Sequence, residues 1–150
     1  MGVDIQIRYA YADDIEAMTG LLSELFAIED DFMIDSAKQR QGLELLLQKP
    51  DAKVLVATYS DHVIGMLSMQ SLISTACGAR VGLIEDMIVS SDFRRRGIGR
   101  LLLDSMIEEA EQLGYVRLSL GADRRNDAAL DFYKRFEFKS GNMGLMYRSL

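Results

Sequence analysis

Apolar residues recur along this chain with two spacings, and each spacing predicts one type of secondary structure. Alternating or continuous apolar runs that end in turn residues predict strands over 3–9, 53–59, 62–73, 81–89, 115–120 and 143–148. Apolar residues three or four positions apart predict helices over about 13–27, 36–49 and 97–113, and a last helix around Ala129 to Phe136. The small and polar residues 74–79 predict a loop.

The predicted elements follow the order β-α-α-β-β-β-α-β-α-β, with room for a short extra strand near Phe138. Consecutive strands in the middle of the chain predict antiparallel neighbours, and the late strand-helix-strand unit predicts a crossover. The predicted fold class is therefore α/β (α+β), with one mixed, mostly antiparallel sheet flanked by helices. With one proline and no low-complexity linker, residues 1–150 are expected to form a single domain.

Composition narrows the classes of partner. The net charge of −6 argues against binding to nucleic acid or to an anionic membrane surface. No run approaches the roughly 20 apolar residues of a membrane span, and the N-terminal residues lack the pattern of a signal peptide. The only cysteine, Cys77, can form neither an intrachain disulfide nor a thiolate metal site. We therefore expect a soluble cytoplasmic protein that binds no metal.

The most informative segment follows the strand 81–89. A polar turn leads to a helix that opens on Gly97 and Gly99, beside the arginines Arg94, Arg95, Arg96 and Arg100. The first N–H groups of a helix lack internal partners and attract anions, and glycine lets the backbone approach a diphosphate closely. The alternative is a solvated turn. A Walker phosphate loop and a dinucleotide fingerprint are excluded by the spacing, and a nucleic-acid patch is disfavoured by the overall charge.

The stretch from Ile84 to Gly99 resembles the signature of the GNAT superfamily of acetyltransferases, Arg-x-x-Gly-x-Gly at the start of a long helix. A second stretch, Asn126 to Tyr133, resembles the Asn-x-x-Ala-x-x-Phe-Tyr helix of that family. The family usually has glycine at the position of Glu137 and often proline at that of Ser91, so the local turn geometry there is in question.

The resemblance implies acetyl-CoA as the co-substrate. It implies a pantetheine contact along one strand, by Met87, Ile88 and Val89. It implies a pyrophosphate site in the following turn, formed by Arg94, Arg95, Arg96, Gly97, Ile98, Gly99 and Arg100. The family asparagine that contacts the cofactor maps to Asn126, and the tyrosine beside the thioester sulfur maps to Tyr133. Read from the residues alone, Asn126 also fits a helix N-cap, and Tyr133 fits an aromatic on a buried face.

The resemblance also implies the catalytic groups. Some family members use a glutamate at the place of Glu85 as general base, and polyamine and aminoalkylphosphonate acetyltransferases have a similar acidic strand there. Strict alternation places Glu85 on the face of Met87 and Val89, with Asp86 opposite. We expect an oxyanion-stabilising N–H near Met87 or Ile88, exposed by a bulge, and protonation of the thiolate by Tyr133. Glu85 could equally be a structural carboxylate.

The acceptor is less well defined. Acidic residues between the first two helices could attract a cationic amine or simply be solvated; they are Glu24, Glu29, Asp30, Asp31 and Asp35. The predicted reaction is direct acetyl transfer to a primary amine of a small molecule or peptide, without a covalent enzyme intermediate. The alternatives are a non-enzymatic acyl-CoA-binding module and an acyltransferase with a different donor or acceptor. A homodimer is a further expectation that the resemblance carries.

Overall fold

The computed structural model describes residues 4–29 and 31–150. Its strands are β1 (Ile5–Tyr9), β2 (Lys53–Tyr59), β3 (His62–Ser74), β4 (Ala79–Val89) and β5 (Leu118–Leu120). Its helices are α1 (Ile15–Ile28), α2 (Ser36–Gln48), α3 (Ile98–Gln112) and α4 (Asp127–Arg135). Short 3-10 turns, Ala12–Asp14 and Ser91–Phe93, lie before α1 and after β4.

The five strands form one sheet in the order β1-β2-β3-β4-β5. Neighbouring strands from β1 to β4 are antiparallel, and β4 pairs with β5 in parallel. The parallel pair is joined through α3, because parallel neighbours need a crossover connection. The predicted mixed, mostly antiparallel sheet is confirmed.

Each face of the sheet is covered by two helices. On one face, the cluster of buried residues from α1, α2 and the sheet includes Met18, Leu22, Leu43, Val56, Met66 and Ile88. On the other face, the cluster from α3 and the sheet includes Ala57, Leu67, Ile84, Leu102 and Met106, and partly buried aromatic residues of α4 pack against it. The alternation along β2 explains this division, because Val54 and Val56 face α1 while Leu55 and Ala57 face α3.

The structure corrects the end of the predicted element order. Residues 143–148 form no strand in the described structure, nor does the segment near Phe138, and residues 139–150 are all exposed. Alternation along a segment indicates which side chains would share a face, but a strand also needs a partner backbone. Leu145 does lie close to the end of β5: a Cβ built on Gly121 would stand 3.1 Å from its Cδ1.

Several other boundaries differ by a few residues. The strand predicted over 115–120 begins at Leu118, because the preceding residues close the end of α3, where the Tyr115 N–H bonds to the Ala110 carbonyl at 3.0 Å. Val3, the first residue of the predicted first strand, lies outside the described residues. Within 4–29 and 31–150, no helix has the length and apolar content that a membrane crossing requires.

Candidate active site

The sheet opens between β4 and β5. The parallel ladder joins Gly82 to Leu118, Leu83 to Ser119 and Ile84 to Leu120, and it ends there. β4 continues for five more residues to Val89 while it remains paired with β3 on its other edge. The β5-facing edge of β4 beyond Ile84 is therefore bordered by no strand of the described chain. Met87, Ile88 and Val89, the predicted pantetheine residues, lie on this edge.

A β-bulge lies within the open stretch. Ser68 pairs with Glu85 and Met66 pairs with Ile88, so that Asp86 and Met87 together oppose Leu67. Asp86 has a φ of 57°, a left-handed conformation that aspartate tolerates better than most residues. Ser68 supports the bulge by donating a hydrogen bond from Oγ to the Glu85 carbonyl at 3.0 Å. The bulge expected beside Met87 is present.

Because of the bulge, Glu85 lies on the opposite face of β4 from the one that strict alternation predicts. Ile84, Met87 and Val89 all pack with the α3 cluster, whereas Ile88 belongs to the α1 cluster. Glu85 follows Ile84 and pairs with Ser68, so it lies on the α1 face, opposite to Met87 and Val89. Strict alternation fails here because the extra residue shifts the pattern by one position.

The turn after β4 presents a free helix N-terminus. Gly97 is the N-cap residue of α3 with a φ of 79°, and no side chain among the described residues caps this helix. The Leu101 N–H makes the first helical bond to the Gly97 carbonyl at 3.1 Å, so the amides of residues 98–100 have no partner within the helix. By contrast, α2 is capped by Asp35 and α4 by Asn126. Uncapped amides and the helix dipole give this end of α3 the electrostatic character that favours an anion.

The four arginines of the turn are exposed and differ in their contacts. Arg94 donates from Nε to the Val89 carbonyl at 2.9 Å, and its Nη2 lies 3.7 Å from Glu24 Oε1. That Glu24 oxygen also accepts a hydrogen bond from the Ser91 N–H at 3.1 Å, so α1 holds the turn against β4. Arg96 lies over the Phe93 ring at 5.2 Å. Arg95 and Arg100 make no ion pair within the described chain and leave their charge available to an anion.

Gly99 brings three elements together. A Cβ at Gly99 would stand 3.2 Å from Met87 Cε and 3.6 Å from Phe132 Cζ. Phe132 lies on α4, and Ile98 beside Gly99 is buried in the core with 2% exposure. The lack of a side chain at Gly99 therefore allows α4 to pack against the start of α3 and the end of β4. This packing brings the second predicted motif to the opening.

α4 begins and ends with defined caps. Asn126 Oδ1 accepts a hydrogen bond from the Ala129 N–H at 3.0 Å, which makes Asn126 an N-cap and leaves its amide nitrogen for another partner. At the other end, Glu137 has a φ of 68°, the conformation that glycine favours in helix C-caps. The turn thus keeps the geometry of a glycine turn although it carries a glutamate.

Tyr133 lies on the buried face of α4. Its ring packs edge-on against Phe132 at 5.3 Å and against Phe138 at 5.9 Å. Burial, with a contribution from the negative charge of Glu29, raises the pKa of Tyr133 to about 12. The hydroxyl makes no hydrogen bond within residues 4–29 and 31–150, so it is a protonated donor without a protein acceptor.

Glu29 connects Tyr133 electrostatically to a group of carboxylates. Burial raises the pKa of Asp86 to about 6, with a further contribution from Glu85. Burial also raises the pKa of Glu29, the residue that ends α1, and the charges of Asp86, Asp123, Asp31 and Glu85 add to that rise. Asp123 itself is paired with Arg125 at 2.9 Å, and the hydrogen bonds from Arg125 lower its pKa to about 2.

The predicted acidic rim separates into different roles. Glu24 fixes the arginine turn and Asp35 caps α2, whereas Glu29 interacts with the carboxylates of the opening. Asp31 is exposed, and Asp30 lies outside the described residues. The described chain holds no group of three or more His, Cys, Asp or Glu side chains arranged to bind a metal ion. Cys77 is exposed in the β3–β4 turn, at the far end of β4 from the opening.

Two groups of the site were not identified from the sequence. The alternation of the strand distinguishes Asp86 from Glu85 only by its face, because the bulge leaves no trace in a run of apolar residues. Glu29 is one of five acidic residues in the rim, and its residue type does not separate it from its neighbours. Its position at the end of α1 is the only signal that could have singled it out.

Comparison with known proteins gives a consistent result for most of the chain. Residues 16–138 match the model of the Acetyltransferase (GNAT) family. A protein of Methanocaldococcus jannaschii named as an uncharacterized N-acetyltransferase is 27% identical over 135 residues, which cover 89% of this chain and 60% of that protein. The ribosomal protein bS18-alanine N-acetyltransferase of Salmonella typhimurium is 37% identical over 62 residues, or 41% of this chain and 42% of that enzyme. The alignments thus span only part of these relatives' own lengths.

Solved structures share the fold. A crystal structure from Bacillus halodurans, described as a transcriptional regulator, superposes with a TM-score of 0.86 at 24% identity and covers 97% of this chain and 99% of that chain. At this identity the likeness concerns the arrangement of the elements alone.

Proposed function

This chain belongs to the acetyltransferase (GNAT) family, and on that premise we propose that it transfers an acetyl group from acetyl-CoA to a primary amine of a small molecule or peptide. The observation that carries the proposal is the meeting of two features: the unpaired edge of β4 beyond Ile84, and the uncapped N-terminus of α3 that follows it. An extended amide chain with a diphosphate at one end needs both features in this order.

The described residues fit the donor by their chemistry. The open edge of β4 from Met87 to Val89 offers backbone groups to the amides of the pantetheine arm. The free amides of residues 98–100 and the charges of Arg95 and Arg100 suit a pyrophosphate. The amide nitrogen of Asn126 is a further donor at the start of α4. Arg94 contributes by holding the turn to Val89.

The same opening contains groups for the reaction. A carboxylate of the Glu85–Asp86 pair removes a proton from the acceptor ammonium; the family resemblance proposes Glu85 for this role. The resulting amine attacks the thioester carbonyl directly. A backbone N–H at Met87 or Ile88, freed by the bulge, stabilises the oxygen as it becomes negative.

Tyr133 serves the leaving group. The pKa of Tyr133, about 12, keeps its hydroxyl protonated throughout the neutral range; the ordinary pKa of a thiol, about 8.5, is well below it. Its O–H therefore acts as a hydrogen-bond donor to the departing sulfur. The acceptor ammonium loses two protons on becoming an amide: the carboxylate takes one, and the other balances the proton that the thiolate finally takes up.

We propose that the acceptor amine is protonated, and therefore cationic, before it reacts. Glu29, Glu85 and Asp86 place negative charge at the opening, which favours an ammonium group over a neutral or anionic nucleophile. The Salmonella relative is named for acetylation of an alanine amine on a ribosomal protein, so peptide amines belong in the test beside small amines. The net charge of −6 and the single cysteine fit a cytoplasmic enzyme that does not bind nucleic acid.

A thiol-release assay tests the proposal. The purified protein is incubated with acetyl-CoA and one acceptor at a time: a diamine, an aminoglycoside or an alanyl peptide. The mass of each acceptor is then measured by mass spectrometry. Enzyme-dependent thiol release with addition of one acetyl group to an amine supports the proposal. Binding of acetyl-CoA without turnover on any amine would identify an acyl-CoA-binding module instead. A faster reaction with a longer acyl-CoA than with acetyl-CoA would show that the longer acyl-CoA is the preferred donor.

A further inference from the structure

Two adjacent carboxylates, Glu85 and Asp86, lie at the bulge, and the structure distinguishes them. Resting on the proposed acetyl transfer, we infer that Asp86 takes the proton from the acceptor ammonium, and that Glu85 assists it as a neighbouring negative charge. Asp86 is then the catalytic base and Glu85 a positioning residue that acts through it.

The backbone at Asp86 is unusual in a way that Glu85 is not. Asp86 occupies the bulge with a φ of 57°, next to Met87 and two residues beyond Ile84, where β4 separates from β5. A left-handed conformation at a non-glycine residue is unfavourable, and such residues persist where the surrounding structure enforces them, often at active sites. The bulge thus fixes Asp86 at the mouth of the opening.

The two side chains differ in their access to water. Glu85 is exposed, whereas Asp86 is partly buried. Neither carboxylate accepts a hydrogen bond or forms an ion pair within the described part of the chain. A partly buried carboxylate without a partner is unfavourable in the ionised form, and an incoming ammonium group would relieve that cost.

The charges around Asp86 act in the same direction. The nearby titratable groups are Glu85 on β4, Glu29 at the end of α1 and, around Glu29, Asp31, Asp123 and Tyr133. Among them only Asp123 has a cationic partner within the described residues, namely Arg125. Burial and the charge of Glu85 raise the pKa of Asp86 to about 6, so it is ionised at neutral pH and is a stronger base than an ordinary aspartate.

Two protons leave the acceptor nitrogen during the transfer. One N–H bond of the ammonium breaks, and its proton passes to an oxygen of the Asp86 carboxylate. The nitrogen lone pair then forms the bond to the acetyl carbon as the carbon–sulfur bond breaks, with the electron pair leaving on sulfur. The nitrogen loses its second proton, which neutralises the thiolate, and Asp86 releases its proton to solvent after the product leaves.

The test compares three variants on the acceptor that wild type uses best in the panel above. Asp86→Asn removes the base, and asparagine also tolerates a left-handed backbone. Glu85→Gln removes only the neighbouring charge. Asp61→Asn is the matched control, because Asp61 also has a positive φ, 66°, but is exposed in the β2–β3 turn. The readout is kcat/KM as a function of pH, with acetyl-CoA affinity measured by calorimetry and folding by circular dichroism.

Wild type should lose activity as the pH falls through about 6, because protonated Asp86 cannot act as a base. Asp86→Asn should lower kcat/KM by about 10²-fold or more and abolish this acidic limb, with acetyl-CoA affinity unchanged. Glu85→Gln should keep the limb but move it to lower pH, because the charge that raises the pKa of Asp86 is gone. Asp61→Asn should behave as wild type.

Other outcomes overturn the inference. If Glu85→Gln loses the acidic limb while Asp86→Asn keeps it, the base is Glu85. Should Asp86→Asn fail to fold, the pH profile of Glu85→Gln still tests the assignment. An acidic limb at the same pH as in wild type would contradict it, because loss of the Glu85 charge should lower the pKa of Asp86. Absence of wild-type turnover on every amine would refute the proposed function itself, and that result is separate from a shift of roles between the two carboxylates.

Discussion

Ile84 pairs with Leu120 in the last rung of the parallel ladder between β4 and β5. Beyond this pair β4 is paired only with β3, passes through the bulge at Asp86 and Met87, and leads into the arginine turn. One divergence of two strands therefore produces the unpaired backbone edge, the carboxylate position and the approach to the free end of α3. The proposed donor and acceptor sites share this opening, which is why their groups can meet.

The first prediction concerns Gly97. Gly97 and Gly114 lie at opposite ends of α3, with φ values of 79° and 78°, and a Cβ at either would meet nothing within 4 Å. Alanine at each position should therefore lower the free energy of unfolding by a similar amount, about 1 kcal/mol, for the left-handed conformation. Only Gly97→Ala places a methyl group where the pyrophosphate is proposed to lie, so only Gly97→Ala should weaken acetyl-CoA binding.

Calorimetric titration of both variants with acetyl-CoA, beside urea unfolding, makes this comparison. Equal affinities in Gly97→Ala, Gly114→Ala and wild type would show that the N-terminus of α3 does not hold the donor. A loss in both variants would indicate a general effect of strain on the helix.

The second prediction concerns the hydroxyl of Tyr133. Tyr133→Phe should lower kcat by about 10²-fold, because the departing sulfur loses its hydrogen-bond donor, while acetyl-CoA affinity stays the same. Tyr115→Phe is the control, since Tyr115 packs against the same core cluster. Steady-state kinetics with thiol detection measure both. Full activity in Tyr133→Phe would leave Tyr133 as a packing residue alone.

The third prediction separates two roles of Asn126. Asn126→Ala removes the cap of α4 and should lower the free energy of unfolding by about 1 kcal/mol. Asn126→Asp keeps the capping oxygen, so its stability should match wild type, but it replaces the amide donor with a negative charge that repels phosphate. Weaker acetyl-CoA binding by Asn126→Asp at unchanged stability supports a cofactor contact. Unchanged binding would restrict Asn126 to capping.

The fourth prediction concerns stability and pH. Because the pKa of Asp86 is raised in the folded state, the native protein holds this proton more tightly than the unfolded chain. The stabilising effect of the neutral form is present at low pH and is lost as the pH rises towards and through about 6. The total loss in the free energy of unfolding is about 3 kcal/mol, of which roughly 1 kcal/mol is lost between about pH 5 and pH 8.

Asp86→Asn has no such proton to lose. The free energy of unfolding of Asp86→Asn relative to that of wild type should therefore rise by roughly 1 kcal/mol from about pH 5 to about pH 8, as measured by urea unfolding. A difference that is constant with pH would mean that Asp86 titrates as it does in the unfolded chain. This measurement needs no acceptor and is independent of the kinetic test.

Much of the framework could be predicted from apolar spacing. The strand over 53–59 has the bounds of β2, and the helix predicted over 97–113 differs from α3 by one residue at each end. These elements bury continuous apolar faces, so their periodicity is strong. The segment 143–148 shows the opposite case. Its alternation is clear, but whether a backbone partner is available is decided elsewhere in the chain.

The candidate site could be located from the sequence, although its details could not. The two motifs identify the arginine turn and α4, because glycine and a capping asparagine are needed at fixed positions. The bulge is different, since apolar residues follow it on both faces of β4 and no change of pattern marks the inserted residue. The face of Glu85 and the burial of Asp86 both depend on that insertion, so both required the structure.

The proposed donor site is tested most directly by a calorimetric titration of the purified protein with acetyl-CoA, with free CoA and NADH as comparison ligands. If the β4 edge and the α3 terminus hold the donor, acetyl-CoA should bind saturably at one site, free CoA should compete with it, and NADH should not bind. Mass spectrometry of the denatured sample checks first that no CoA was carried through purification. A protein free of CoA that does not bind acetyl-CoA would contradict the assignment of the β4 edge and the α3 terminus as the donor site.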